Sequence, residues 1–279
     1  MAIMQSDPDS DAPSFPDVRH LRPVYAGEIE RLKRAGRRRR MVRRLGALAA
    51  AGLGCLLLGW ISFGWRDVEA ENHAPRSIPL ADGSRIDLDA GGLIRLPLAP
   101  WRHEVSLMRG DAVFDIVHDD SRSFVVRAGT TTLTDLGTRF LVQTSSMGVS
   151  VAVFEGRVLV SSPAGRQATL DVGQAVSASE TAITRIAMPS EGEATAWRQG
   201  RLIFRDMQLA KVAAVLSRYR DQPVEIGTPA IASLKVSGLF HIDDIDGGLR
   251  LLEQALPVDV SRKGDRTILE ARNRDSVLR

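Results

Sequence analysis

The chain has 279 residues, 44% of them hydrophobic and 25% charged, with one cysteine, five histidines and a formal net charge of +3. Residues 1–45 hold eleven basic and six acidic side chains, leaving twenty-six basic and twenty-eight acidic ones for the other 234, so the bulk of the chain is not built to bind nucleic acid or another polyanion. The lone cysteine, Cys55, excludes an internal disulfide framework, yet some two hundred residues beyond it suffice for one or two packed cores without staples.

In chain order, residues 1–27 set Pro8, Pro13, Pro16 and Pro23 among acidic and small residues, which predicts disorder or a fold that waits for a partner. From Glu28 the pattern suits a helix, with Ile29 and Leu32 one turn apart, although Gly36 weakens it. Nine basic residues crowd between Glu28 and Leu45. Residues 1–45 therefore read as a basic cytoplasmic tail.

Residues 46–65 (GALAAAGLGCLLLGWISFGW) carry no formal charge. A helix of that length spans about 30 Å, the thickness of a bilayer's hydrocarbon core, so the run predicts one transmembrane helix. Residues 66–85 hold three basic and four acidic side chains against the nine basic residues before the span, which orients the amino terminus inside and the carboxyl terminus outside. Trp60 and Trp65 fall at the outer end, where indole rings sit among headgroups. A cleaved signal peptide is the rival, with Val68 and Ala70 as a small-residue cleavage pattern, but the charged region and the apolar run are both too long for it. Small residues at Ala47, Ala50, Ala51 and Gly54 would permit close helix contact, a spacing common in spans.

Residues 66–77 read as a spacer. Residues 78–180 change character: short alternating or apolar runs recur at 85–89, 104–108, 112–118, 124–127, 130–134, 140–144, 149–154, 157–161 and 167–172, with glycines between many of them. Several gaps are eight to eleven residues, the rhythm of strands joined by tight turns. Asp82-Gly83, Arg109-Gly110 and Glu155-Gly156 place glycines where a positive φ lets the chain reverse. This predicts an all-β domain, a solenoid or a twisted sandwich, with the solenoid slightly preferred.

Residues 181–196 read as a linker and 197–272 as a small α/β domain. Arg201 to Arg205 suits a strand, Asp206 could cap a helix, and Leu209, Val212, Ala213, Leu216 and Tyr219 share one helical face. After a strand at Pro223 to Ile226 the unit repeats: a strand from Leu234 to Phe240, a cap at Asp243 or Asp244, an apolar stripe of Ile245, Leu249, Leu252 and Leu256, and a stop at Pro257. A hairpin around Lys263-Gly264-Asp265 closes it, so two βαβ units are expected, with residues 273–279 as a tail.

No chemistry of an enzyme stands out. The histidines at 20, 73, 103, 118 and 241 lack metal-ligand spacing, and there is no nucleophile elbow, phosphate loop or dinucleotide fingerprint. His118 beside Asp119 and Asp120 reads as a hydrogen-bonded surface residue at a strand end. No cofactor or metal is expected.

Several motifs of the middle region occur together and in order: Ala81-Asp82-Gly83-Ser84, residues 107–114 (LMRGDAVF) with 115–119 (DIVHD), Phe124-Val125-Val126, residues 136–140 (LGTRF), 153–158 (VFEGRV) and Val172-Gly173-Gln174, then 196–204 (AWRQGRLIF). In these the chain resembles the FecR family of transmembrane anti-sigma regulators over residues 78–272, and its last part resembles the short domain shared by secretins and TonB-dependent transducers. The resemblance implies an inner-membrane regulator without catalysis. Its partners would be the signalling domain of a ligand-loaded TonB-dependent outer-membrane transporter, met in the periplasm, and a cytoplasmic extracytoplasmic-function (ECF) sigma factor, so that uptake of iron or another nutrient adjusts transcription. An anchored periplasmic interaction module without sigma-factor control is the alternative.

Contact through strand addition at an exposed edge of the α/β domain would fit such a role. The tail before the span is shorter than the helical amino-terminal domain usual in the family, and holds no tryptophan. Some members cleave themselves at a Gly-Thr bond by attack of the threonine hydroxyl on the preceding carbonyl, which singles out Gly137-Thr138, ahead of Gly129-Thr130; a glycine turn leading into a strand is the competing reading of the same pair.

Overall fold

The structure, a computed structural model, describes residues 64–272 except positions 120 and 136, together with Gly52, Gly54 and Gly59. The expected tail at 1–45, nearly all of the expected span and residues 273–279 lie outside the described residues. Among the described residues no helix is long and apolar enough to cross a membrane.

Two seven-stranded sheets form the larger part. The first runs in the order β1 (Trp65–Glu69), β4 (Leu93–Pro97), β5 (Glu104–Arg109), β7 (Phe124–Ala128), β8 (Thr131–Asp135), β11 (Arg157–Ser161), β12 (Gln167–Asp171). The second runs β14 (Ile183–Ile186), β13 (Ala175–Ala178), β10 (Gly148–Glu155), β9 (Arg139–Ser145), β6 (Asp111–Asp115), β3 (Arg85–Leu88), β2 (Arg76–Pro79). One hydrophobic core joins their facing sides: Ile94, Leu107, Val126, Leu133 and Val160 from the first meet Ile86, Phe114, Phe140, Val142 and Val151 from the second. Phe114 and Phe140, cross-strand partners, stack with centroids 5.0 Å apart. Alternation explains the first sheet, since Leu93–Pro97 buries Ile94 and Leu96 and leaves its other side chains half-exposed.

The arrangement is therefore a sandwich, and the preferred solenoid is wrong. A solenoid stacks its coils in parallel, whereas every neighbouring pair in these sheets is antiparallel except β5 with β7. The glycine turns act in two ways: Gly83, with φ of 87°, reverses the chain between the paired strands β2 and β3, whereas Gly110 and Gly156, with φ of 91° and 77°, carry it from one sheet to the other, from β5 to β6 and from β10 to β11. The stretch expected as a spacer, 66–77, supplies most of β1 and the start of β2, and Trp65, expected at the end of the span, opens β1 opposite Pro97. Too short and polar to read as a strand alone, Trp65–Glu69 is held by its ladder to β4 and by burial of Val68.

The smaller part begins within the expected linker, where α1 (Glu191–Ala194) leads to a 3₁₀ turn at Ala196–Gln199. Then come β15 (Arg201–Gln208), α2 (Leu209–Ser217), β16 (Val224–Ile226), β17 (Lys235–His241), α3 (Ile245–Ala255), β18 (Val258–Lys263) and β19 (Arg266–Ala271). The order of elements is as expected, but βαβ units are not formed. β15 pairs antiparallel with β17 in a sheet of two, while β16 pairs in parallel with β19, itself antiparallel to β18. Periodicity sets the type and sequence of elements; which strands pair is decided by tertiary packing.

The helices bury the anticipated faces. Leu209, Val212, Ala213 and Leu216 are all at most 2% exposed, and Tyr219 just beyond them 4%. Asp244 caps α3 by accepting the Gly247 N–H at 2.8 Å. Asp206 caps nothing. It sits in β15 at an irregularity between Phe204 and Met207 with φ of 47°, its N–H donating to Ser237 Oγ, and α2 starts after Gln208 instead.

Candidate functional site

The second sheet of the sandwich is covered on both faces, and this creates the junction with the α/β module. Ala90, Val113, Leu141, Ala152, Phe154 and Ala175 turn away from the sandwich core into a second cluster with Trp197, Leu202, Phe204 and the helix residues of the module. Hence Ala112-Val113-Phe114 and Val151 to Phe154 are continuous buried runs, the pattern of a strand with packing on both sides.

Carboxylates stand among those apolar residues and are matched by cations from the module. Asp89, 3% exposed, accepts the Tyr219 hydroxyl and the Ala90 N–H at 2.8 Å. Arg218 bridges to Asp111 at 2.9 Å and reaches Asp89 at 3.4 Å. A second cluster centres on Asp115, met by Arg198 at 2.7 Å, Arg139 at 2.7 Å and Arg85 at 3.0 Å, while Arg198 also binds Asp87 at 2.6 Å.

Environment drives the two carboxyls apart. Burial pushes Asp89 up to about 6, against the hydrogen bond from Tyr219, and the charge of Asp111 adds to the rise. Burial also acts to raise Asp115, but hydrogen bonds from Arg139 and Arg85 and the charge of Arg198 outweigh it and hold that carboxyl below the usual range. Tyr219 is pushed well above an ordinary phenol by burial and by Asp89. Such an arrangement locks two parts together.

Sequence reasoning missed this junction. Its signal was present as aspartates at even spacings, 87 with 89 and 111 with 115, within or just beyond strands rich in apolar residues. Each carboxylate in such a strand needs a cation or donor from elsewhere in the chain.

Gly137 and Thr138 lie in the connection between β8 and β9. Thr138 is 4% exposed, and its hydroxyl donates to the Asp135 carboxylate, whose other oxygen accepts the Gly137 N–H at 3.1 Å. The Thr138 carbonyl is held by the Ile116 N–H at 2.9 Å. Gly137 has φ of 130°, and a Cβ there would lie 2.4 Å from His118 Cα. A Cβ on Gly156 would lie 2.3 Å from Thr138 Cγ2 and 2.6 Å from the Gly137 carbonyl oxygen, so both glycines are required by the close approach of two loops. The structure thus brings a hydroxyl, a carboxylate and the preceding peptide group together beside a cleft of about 670 Å³ whose walls include Ser84, Ile116 and Glu155. Gly129, the other candidate glycine, occupies the short turn between β7 and β8 at φ of 52°.

Among the described residues the module leaves strand edges open. β15 and β17 form a sheet of two strands, each with an unpaired side, and β18 ends the sheet of three. Leu239 on β17 is 46% exposed and Leu251 on α3 is 63% exposed.

The FecR protein family matches residues 66–159, and the FecR C-terminal family matches residues 201–269, together more than half of the chain. The chain belongs to the FecR family. The first match lies in the sandwich and the second in the α/β module, so the two FecR parts meet at the doubly covered sheet. Two crystal structures of a candidate anti-sigma factor from Parabacteroides distasonis ATCC 8503, at 2.50 and 1.65 Å resolution, share the fold. Each has a TM-score of 0.63 and 21% identity, over 74% of this chain and 99% of the other in the first, and 73% and 98% in the second. No curated protein matches the chain. The FecR family is non-enzymatic.

Proposed function

We propose that this FecR-family chain is an anti-sigma regulator, anchored in the inner membrane by one helix within the uncharged run 46–65, with its amino terminus cytoplasmic and its sandwich and module in the periplasm. The module reads the signalling domain of a ligand-loaded TonB-dependent outer-membrane transporter, and the tail at 1–45 acts on an ECF sigma factor, adjusting transcription to the uptake of iron or another nutrient. One observation carries this reading: two FecR domains follow, in family order, an uncharged run flanked on one side by nine basic residues. The open edges of β15 and β17 support strand addition as the mode of contact, because unpaired backbone groups there can hydrogen-bond a partner strand.

Co-purification of the full chain from membranes tests it. Retrieval of a sigma factor and a transporter signalling domain is expected, and retrieval of neither overturns the proposal. Under the alternative, an anchored interaction module without sigma control, deleting residues 1–27 leaves target transcription unchanged; under the proposal it changes.

A second reading concerns Gly137-Thr138. The hydrogen bond from Thr138 Oγ1 to Asp135 favours it, since the carboxylate can take the proton as the hydroxyl attacks the Gly137 carbonyl carbon, breaking the peptide C–N bond to give an ester and a free amine. Hydrolysis of the ester then parts the chain. Thr138→Ala should abolish the two fragments on a gel, and persistence of the same fragments rules this cleavage out.

A further inference from the structure

We propose that one end of the sandwich, built around Trp65 and the connection at residues 98–103, docks on the phospholipid headgroups of the leaflet from which the chain emerges. This rests on the anchor reading above. The strand ladder defines the end. β4 runs antiparallel to β1, so Pro97 lies opposite Trp65, and the Gly64 carbonyl accepts the Leu98 N–H at 2.9 Å. The connection from β4 to β5 therefore projects past the first residue of β1, on the side where the chain enters the sheet at Gly64.

Its sequence, Leu-Ala-Pro-Trp-Arg-His, has no acidic residue. Ala99 to Arg102 form a tight turn, closed by the Arg102 N–H on the Ala99 carbonyl at 3.2 Å, with Pro100 at the position where its fixed φ favours the bend. Trp101 follows it and is 57% exposed. Arg102 stacks over the Trp65 ring, 4.6 Å from its centroid.

Following the ladder across both sheets brings Val117, Val172 and Ile186 to the same end, at 53, 60 and 41% exposure. Among the described residues, five of the nine exposed large apolar side chains thus lie at one end. Behind the turn a cleft of about 320 Å³ is lined by Arg66 and Arg102, with Leu96, Leu98 and Phe124 below them. Asp82 forms another wall, and its carboxylate is 3.3 Å from His103. Exposed indoles beside guanidinium groups are the chemistry of the headgroup layer: the ring body enters the acyl boundary while the cations meet phosphates.

The test uses the full chain in phosphatidylethanolamine–phosphatidylglycerol vesicles, with photoreactive benzoylphenylalanine placed at one position at a time: Trp101, Met147 at the opposite end of the sandwich, or Leu57 in the uncharged run. Lipid adducts at 57 and 101 but not at 147 are expected. An adduct at 57 without one at 101 overturns the docking while leaving the anchor standing. Adducts at neither position overturn both, and crosslinking of 101 to protein alone assigns this end to a protein partner and overturns the lipid assignment.

Discussion

Asp89 is the side chain on which burial and hydrogen bonding pull hardest in opposite directions. Its carboxyl titrates higher in the folded state than the unfolded 3.8, so the stability it contributes is fully present below that value and is lost as pH rises through about 6. Across that window the change is on the order of 2–3 kcal/mol. Urea unfolding of Asp89→Asn at pH 4 and pH 7 should therefore show a smaller gain on acidification than the wild type, and an equal gain would remove Asp89 as the cause. Asp115 has the opposite sign: its carboxyl is held down, and its contribution is lost only as pH falls below the ordinary carboxylate range. Gly137 belongs to the same scale. Gly137→Ala adds a methyl 2.4 Å from His118 Cα at a φ that L residues avoid, and should lower stability by at least about 2 kcal/mol by thermal denaturation.

Single elements follow local rules where the sequence is explicit. The cap on α3 is such a case, and Asp244→Ala should cost about 1 kcal/mol, seen as a shift of the denaturation midpoint with unchanged slope. The apolar stripes of α2 and α3, the hairpin around Gly264 and the glycine turns of the sandwich were all readable, because each is set by spacing or by a φ that only glycine takes freely. What escaped was long-range. Nothing within Trp65–Glu69 marks it as a strand until β4 lies beside it, and nothing in β15 shows that it pairs with β17 and not with β16. The bulge at Asp206 turned a plausible cap into a strand residue for the same reason. Of the candidate site, Gly137 and Thr138 were legible as a motif, whereas the junction needed the partners of Asp89 and Asp115, more than eighty residues away in Arg198, Arg218 and Tyr219.

At the scale of the whole molecule, the second sheet gives its inner face to the sandwich core and its outer face to the module, so the two FecR parts share one slab of packing. Trp197, 6% exposed at that boundary, ties them together, its indole N–H held by the Ala194 carbonyl at 3.0 Å. Trp197→Ala should destabilise by about 3–5 kcal/mol. In differential scanning calorimetry the wild-type sandwich and module should melt in one transition, and the variant should separate the module's melting from the sandwich's. Two transitions already present in the wild type would show the parts to be independent.

The first strand of the body begins at Trp65, and even the carbonyl before it is engaged by Leu98. Because, among the described residues, β1 ends its sheet and is paired with β4 alone, any pull on the chain ahead of Gly64 loads that single ladder first.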